Sequence, residues 1–157
     1  MTVDNNRLHL LSAFSGEWAG MNQLWLSPTE DSKESPATLT LAPTLKAKFI
    51  EVKYTWAFAD TPQEGLLIIG YQPKRELATA TWMDTWHMGD QVMACQGTLT
   101  TEGNLNVRGA YPVQTGPDWG WRIILEPASD QKLNLIMYNR FPTGEEELAV
   151  KVAFSRS

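Results

Sequence analysis

From residue 16 to the end of the chain, apolar and polar side chains alternate with a period of two, and this constrains the fold more than any other feature. The clearest run places Ile50, Val52, Tyr54, Trp56 and Phe58 on one side and Glu51, Lys53 and Thr55 on the other. Successive side chains of a strand point to opposite faces, so such a run is a strand with one buried and one wet face. Turn formers interrupt the pattern at 60–65, 73–76, 88–90, 101–104, 112–117, 128–131 and 142–145, and a Pro/Ser/Asp-rich loop is expected over 27–36. The intervals predict ten strands, at 17–26, 37–45, 50–58, 65–72, 77–86, 91–99, 105–111, 119–126, 133–140 and 148–154. None of these segments carries the helical period that a parallel crossover needs, so the sheet is expected to be antiparallel. Ten short strands must stack as two sheets or curl until their edges meet, and sequential hairpins favour a closed up-and-down barrel.

Only the start of the chain departs from this period. Leu8, Leu11 and Phe14 recur at helical spacing, Asp4 is a candidate N-cap and Gly16 a natural stop, which predicts a helix of about three turns closing one end of the barrel. At 157 residues the chain is expected to form a single domain over 1–157. Thirteen basic and eighteen acidic residues give a net charge of −5 with no basic run, which argues against nucleic acid and anionic membrane as partners. Cys95 is the single cysteine, so no intrachain disulfide can form. With a polar start and no apolar stretch near the roughly 20 residues of a membrane span, the expected location is the cytoplasm. Seven Trp, four Tyr and five Phe, however, are much aromatic surface for one small domain, and require an aromatic core or an aromatic site.

The hairpin over 65–84 concentrates the chemistry. Its second strand is expected to point Trp82, Asp84 and Trp86 to one face, which sets a carboxylate between two indoles. A bare buried charge costs several kcal/mol, so Asp84 must be paired, protonated or wet. The plainer expectation is anchorage by backbone donors or by Arg108, Arg122 or Arg140, although the alternation turns Arg122 and Arg140 outward. Trp56, Trp119 and Trp121 join the same inward face, with Tyr71, Tyr138 and Asn139 as hydrogen-bonding groups near a cavity mouth. His87, three residues after Asp84, falls on the opposite face of an uninterrupted strand and is expected at the surface or rim. With His9 as the one other histidine, a metal site has almost no support. No Gly-x-Ser-x-Gly elbow, phosphate loop or dinucleotide fingerprint is present.

Gly16-Glu17-Trp18-Ala19-Gly20 resembles the Gly-x-Trp-x-Gly opening of lipocalin-like and fatty-acid-binding-protein-like barrels. Gly70-Tyr71-Gln72-Pro73, Ala80-Thr81-Trp82-Met83-Asp84, Met93 and Gln96-Gly97-Thr98 are similar, in order and spacing, to an uncharacterised bacterial family known by a domain-of-unknown-function label. That family reads Gly-Tyr-Asp, Ser-Thr-Trp-x-Asp and Met-x-x-x-Gly-Thr, and the resemblance covers nearly the whole chain. Gln72 departs from it where the family has Asp, which we assign to a changed turn cap. The resemblance implies a calycin-type barrel with an internal cavity and no established reaction. The nitrobindins share the opening and hold haem through a histidine near the C-terminal end; residues 147–155 here contain none, which counts against haem.

These readings converge on an all-β, ten-stranded antiparallel up-and-down, calycin/lipocalin-like barrel that binds a small apolar or aromatic ligand. The expected site is Trp56, Tyr71, Trp82, Asp84, Trp86, Trp121 and Tyr138, with no catalytic residue, metal or cofactor assigned. Two alternatives stand beside it: a cofactor-free isomerase or cyclase with Asp84 as base, and an interaction scaffold or homodimer with a filled core, for which an outward Phe49 is the one hint.

Overall fold

The computed structural model describes residues 6–157. It is all-β apart from one short helix, α1 (Leu8–Ser12) and a single 3-10 turn at Pro73–Arg75. The strands are β1 (Gly16–Leu24), β2 (Lys33–Thr44), β3 (Phe49–Phe58), β4 (Thr61–Gln72), β5 (Leu77–Asp84), β6 (Met93–Leu99), β7 (Leu105–Tyr111), β8 (Trp119–Ser129), β9 (Lys132–Arg140) and β10 (Glu146–Arg156). Each pairs antiparallel with its sequence neighbour, and β1 pairs with β10, so the barrel closes without a free edge. This is the predicted architecture.

The strand limits differ where a proline or glycine was taken as a breaker. β4 begins at Thr61 because the reversal is a two-residue turn, Ala59-Asp60, with φ of 49° and 65°. Both residues are left-handed, the backbone that matches hairpin twist, so Pro62 and Gly65 belong to the strand. Likewise β2 starts at Lys33 and runs through Pro36, which pairs with Met21, while buried Ser35 accepts a hydrogen bond from the Ala57 N–H. The helix is five residues long, shorter than the three turns expected. Ser12 and Ser15 donate their hydroxyls to the His9 and Ser12 carbonyls, which offers the chain an alternative to continued helical bonding. The Asp4 cap lies outside the described residues; the Leu8 N–H donates to Asn6 Oδ1.

Inward residues from all sides fill the middle of the barrel. Val52, Leu67, Leu105, Val107, Ile123, Leu125, Leu133 and Phe154 have no exposed surface, and each such side chain stabilises the fold by about 1.5–3 kcal/mol. The two ends are built differently. The turns after β2, β4, β6 and β8 share one end with α1, where Arg7 donates to the Leu99 carbonyl and Arg156 to that of Ser15. The opposite end, with the turns after β1, β3, β5, β7 and β9, is uncovered by any helix among the described residues. No helix among those residues is long and apolar enough to cross a membrane.

Candidate functional site

Asp84 ends β5 at the uncovered end and is 2 % exposed. Its neighbours in register are Gly65 on β4 and, beyond it, Tyr54 on β3. Gly65 matters because it has no side chain: a Cβ there would lie 1.9 Å from the Tyr54 ring. The ring therefore crosses β4 unobstructed, and its hydroxyl donates to Asp84 Oδ2 at 2.6 Å. Trp56 Nε1 donates to the same oxygen at 3.3 Å, and Trp82 Nε1 donates to the Tyr54 oxygen at 2.9 Å. Burial, followed by the neighbouring Asp84 charge, holds the Tyr54 hydroxyl well above its ordinary pKa, so it remains a donor.

The other carboxylate oxygen shapes the turn. Oδ1 accepts the backbone N–H of Trp86 at 2.9 Å and of His87 at 2.8 Å, an arrangement in which an aspartate folds the chain back over itself. The strand stops at Asp84, so the alternation expected to continue through residue 86 does not apply beyond it. His87 consequently turns back over the end of the barrel. Its ring lies 5.5 Å from Trp56, 5.8 Å from Trp82, 4.8 Å from Trp86 and 5.2 Å from Trp121, centroid to centroid. Burial lowers its pKa, with the Asp84 charge acting in the opposite direction, so the imidazole is neutral at pH 7. Trp82 and Trp121 stack at 5.2 Å with 9° between their planes, and Trp86 packs edge-on to Trp56.

Trp82, Trp86, His87 and Trp121 wall a recess of about 320 Å³, completed by Met88, Met93, Tyr111 and Asn139, while Trp56 packs against Trp86 and His87 without lining it. A second space of about 170 Å³ shares Trp86, His87, Trp121 and Asn139 and extends towards Leu24, Trp25 and Glu147. Tyr111 donates to Asn139 Oδ1 at 2.5 Å, which fixes the amide at the rim. Cys95 is buried nearby in sequence on β6, and burial pushes its thiol up to about 11, leaving it a poor nucleophile. No cluster of three or more His, Cys, Asp or Glu able to hold a metal occurs among the described residues.

Of the seven residues the sequence grouped, Trp56, Trp82, Asp84, Trp86 and Trp121 come together here. Tyr71 does not: six residues from Asp84's partner Gly65 along β4, it lies at the helix-covered end, with the Arg7 guanidinium 5.6 Å from its ring. Tyr138 is on the outer wall, 4.4 Å beneath the guanidinium of Arg122, itself bidentate to Glu146 at 2.8 and 3.0 Å. Asp84 is held by Tyr54, Trp56 and backbone donors, with no arginine among its partners. Trp119 packs on Phe141 at the barrel end. Tyr54 and His87 join this cluster although the sequence reading did not include them in the expected site.

Residues 5–156 match the family described as "Protein of unknown function (DUF1579)". The chain belongs to the DUF1579 family. This DUF1579 chain is similar in fold to the crystal structure of Rv2717c from M. tuberculosis, with a TM-score of 0.67 and 15% sequence identity, over 96% of this chain and 97% of that one. At that identity the likeness concerns the barrel alone. No curated protein matches the DUF1579 chain.

Proposed function

We propose that this protein is a small-molecule-binding barrel that takes a flat apolar or aromatic ligand at its uncovered end. The observation that carries this reading is the recess of about 320 Å³ whose wall is made of Trp82, Trp86, His87 and Trp121. Ligand sites are mostly apolar concavities of about 300–1,000 Å³ with a few placed polar groups, and the space at this end is at the lower bound of that range. Rings stacked on rings are also stiff, so little side-chain freedom is lost when a ligand binds. Asp84 acts in this reading through what it holds: it fixes the turn that carries Trp86 and His87 and the hydroxyl that anchors Trp82.

The isomerase or cyclase alternative has less support. Each Asp84 oxygen already accepts two hydrogen bonds, which occupies the lone pairs a general base would use. Titration of the tryptophan fluorescence with uncharged polycyclic aromatics, flavins and retinoids tests the proposal. We expect saturable quenching, weakened about tenfold or more by His87→Ala, whose ring is central to the wall. Absence of any spectral change across that panel would remove the proposal.

A further inference from the structure

Resting on the ligand site proposed above, we infer that its recess takes an uncharged phenol, an aromatic ring whose hydroxyl donates to the His87 imidazole. His87 lines both spaces at this end, and Trp56, which lines neither, stacks on its ring with 28° between the planes. Neither imidazole nitrogen makes a hydrogen bond among the described residues, and neither is enclosed: the single buried side-chain nitrogen or oxygen without a partner there is Trp121 Nε1. The polar edge of His87 is therefore open to the space that its ring borders. Two donors of the lining are open in the same way. Trp86 Nε1 and Asn139 Nδ2 have no partner among the described residues and are not enclosed, and the Tyr111 hydroxyl, by donating to Asn139 Oδ1, turns the amide nitrogen away from itself.

The ligand's chemistry follows from what these groups lack. Burial keeps the imidazole neutral at pH 7, so it carries one N–H and one acceptor nitrogen whichever tautomer is present. Both Asp84 oxygens already take two donors each, and Asn139 Oδ1 already takes the Tyr111 hydroxyl. That leaves the imidazole nitrogen, far more basic than a carbonyl or phenol oxygen, as the acceptor to be matched. A ketone or ether satisfies the open donors and leaves this nitrogen empty; an ammonium ion does the reverse and offers no lone pair to Trp86 or Asn139. A phenolic hydroxyl does both, because its proton goes to His87 and its oxygen accepts a lining N–H. An anion is disfavoured, since no lysine or arginine lines either space, Glu147 borders the smaller one, and an isolated buried charge is costly. The flat indoles of Trp82 and Trp121 match the ring that carries the hydroxyl.

The test compares four probes of one ring system on the full chain at pH 7.5, where a phenol is neutral: naphthol, methoxynaphthalene, naphthalene and naphthoate. Calorimetry is expected to give naphthol an advantage of about tenfold over each of the others, the value of one hydrogen bond that the methyl ether cannot donate. His87→Phe, which keeps a ring in the wall, should bind naphthol and methoxynaphthalene equally. In a His9→Gln chain His87 is the single histidine, so 1H–15N spectra report its ring alone without altering the site. Its unprotonated nitrogen is expected to move upfield with naphthol and not with methoxynaphthalene. If methoxynaphthalene or naphthalene matches naphthol in the wild type, if that nitrogen does not respond, or if His87→Phe keeps the naphthol advantage, this inference fails while the recess remains a binding site. Preference for naphthoate overturns it in favour of anion recognition. If none of the four binds, the site itself is wrong and the inference falls with it.

Discussion

At the helix-covered end the buried Trp18 indole donates to the Phe14 carbonyl, and the Arg156 guanidinium lies 4.4 Å over its ring. At the opposite end the buried Trp121 indole donates to no group among the described residues, and no lysine or arginine lines the space beside it. The covered end is tied together by its arginines: Arg156 also reaches the Ser15 carbonyl at 2.9 Å and Arg7 the Leu99 carbonyl at 2.9 Å, joining helix, strands and turn. The uncovered end has comparable order around Asp84, whose four donors fix two strands and a turn. Its polar groups are nonetheless arranged so that one donor is left over. Rigidity with an unmatched donor is what pre-organised recognition requires, and rigidity with every donor matched is what a structural plug requires. The same residue type thus has its indole donor matched at one end and unmatched at the other.

The largest test of this contrast is Asp84→Ala. Removing the carboxylate leaves the Tyr54 hydroxyl, the Trp56 indole and two backbone N–H groups without their acceptor, and we expect a loss of about 3–5 kcal/mol in urea unfolding. Gly65→Ala should follow at about 2–4 kcal/mol, because the new Cβ overlaps the Tyr54 ring, which must swing away from Asp84 or force the strands apart. Arg156→Ala is expected to cost only about 1–2 kcal/mol, from the lost cation–π contact and carbonyl hydrogen bonds. It should also leave binding of an aromatic probe at the far end unchanged. Were Arg156→Ala to exceed Asp84→Ala, the covered end would be the organising centre and the contrast would reverse.

Much of this geometry is visible in the alternation. The ten strands and their order follow from the spacing of Ile50 to Phe58 and its repeats, because a closed antiparallel barrel imposes one inward residue in two throughout, and the capping helix follows from the helical spacing at Leu8 and Leu11. Asp84 between Trp82 and Trp86 was visible for the same reason. What alternation could not supply is where a strand ends. Extended past Asp84, it sends His87 outward; the aspartate's own side chain ends the strand by taking the N–H groups of the next residues, and the ring comes back over the indoles. Asp followed within five residues by Gly89, at φ 61°, is the local sign of that turn. The Tyr54–Asp84 bond was hidden for another reason. It spans two strands in register and depends on the absent side chain of Gly65, a residue whose composition points to a turn and whose place in the sheet is under a tyrosine ring. Tyr138 illustrates the converse: aromatic and polar, it fits a cavity mouth by type, yet its parity on β9 sends it outward to Arg122.

The smallest expected effect concerns protons at the uncovered end. Burial among the indoles lowers the His87 pKa in the folded chain, while in the unfolded chain it returns to about 6.5. Below that value the unfolded state binds a proton that the folded state resists, so stability must fall as pH falls through about 6.5 and be level above about 7. Between pH 7 and pH 6 the expected loss is on the order of 0.5 kcal/mol, in a window above the ordinary titration range of carboxylates. Urea midpoints measured across this range should slope in the wild type and flatten in His87→Phe, which keeps a ring in the wall and removes the titration. An unchanged slope in His87→Phe would mean that the imidazole is freely hydrated, and with it the claim that this end is a closed aromatic wall would fail. Loss of probe binding in parallel with the stability change would show instead that the neutral imidazole is part of the surface the ligand meets.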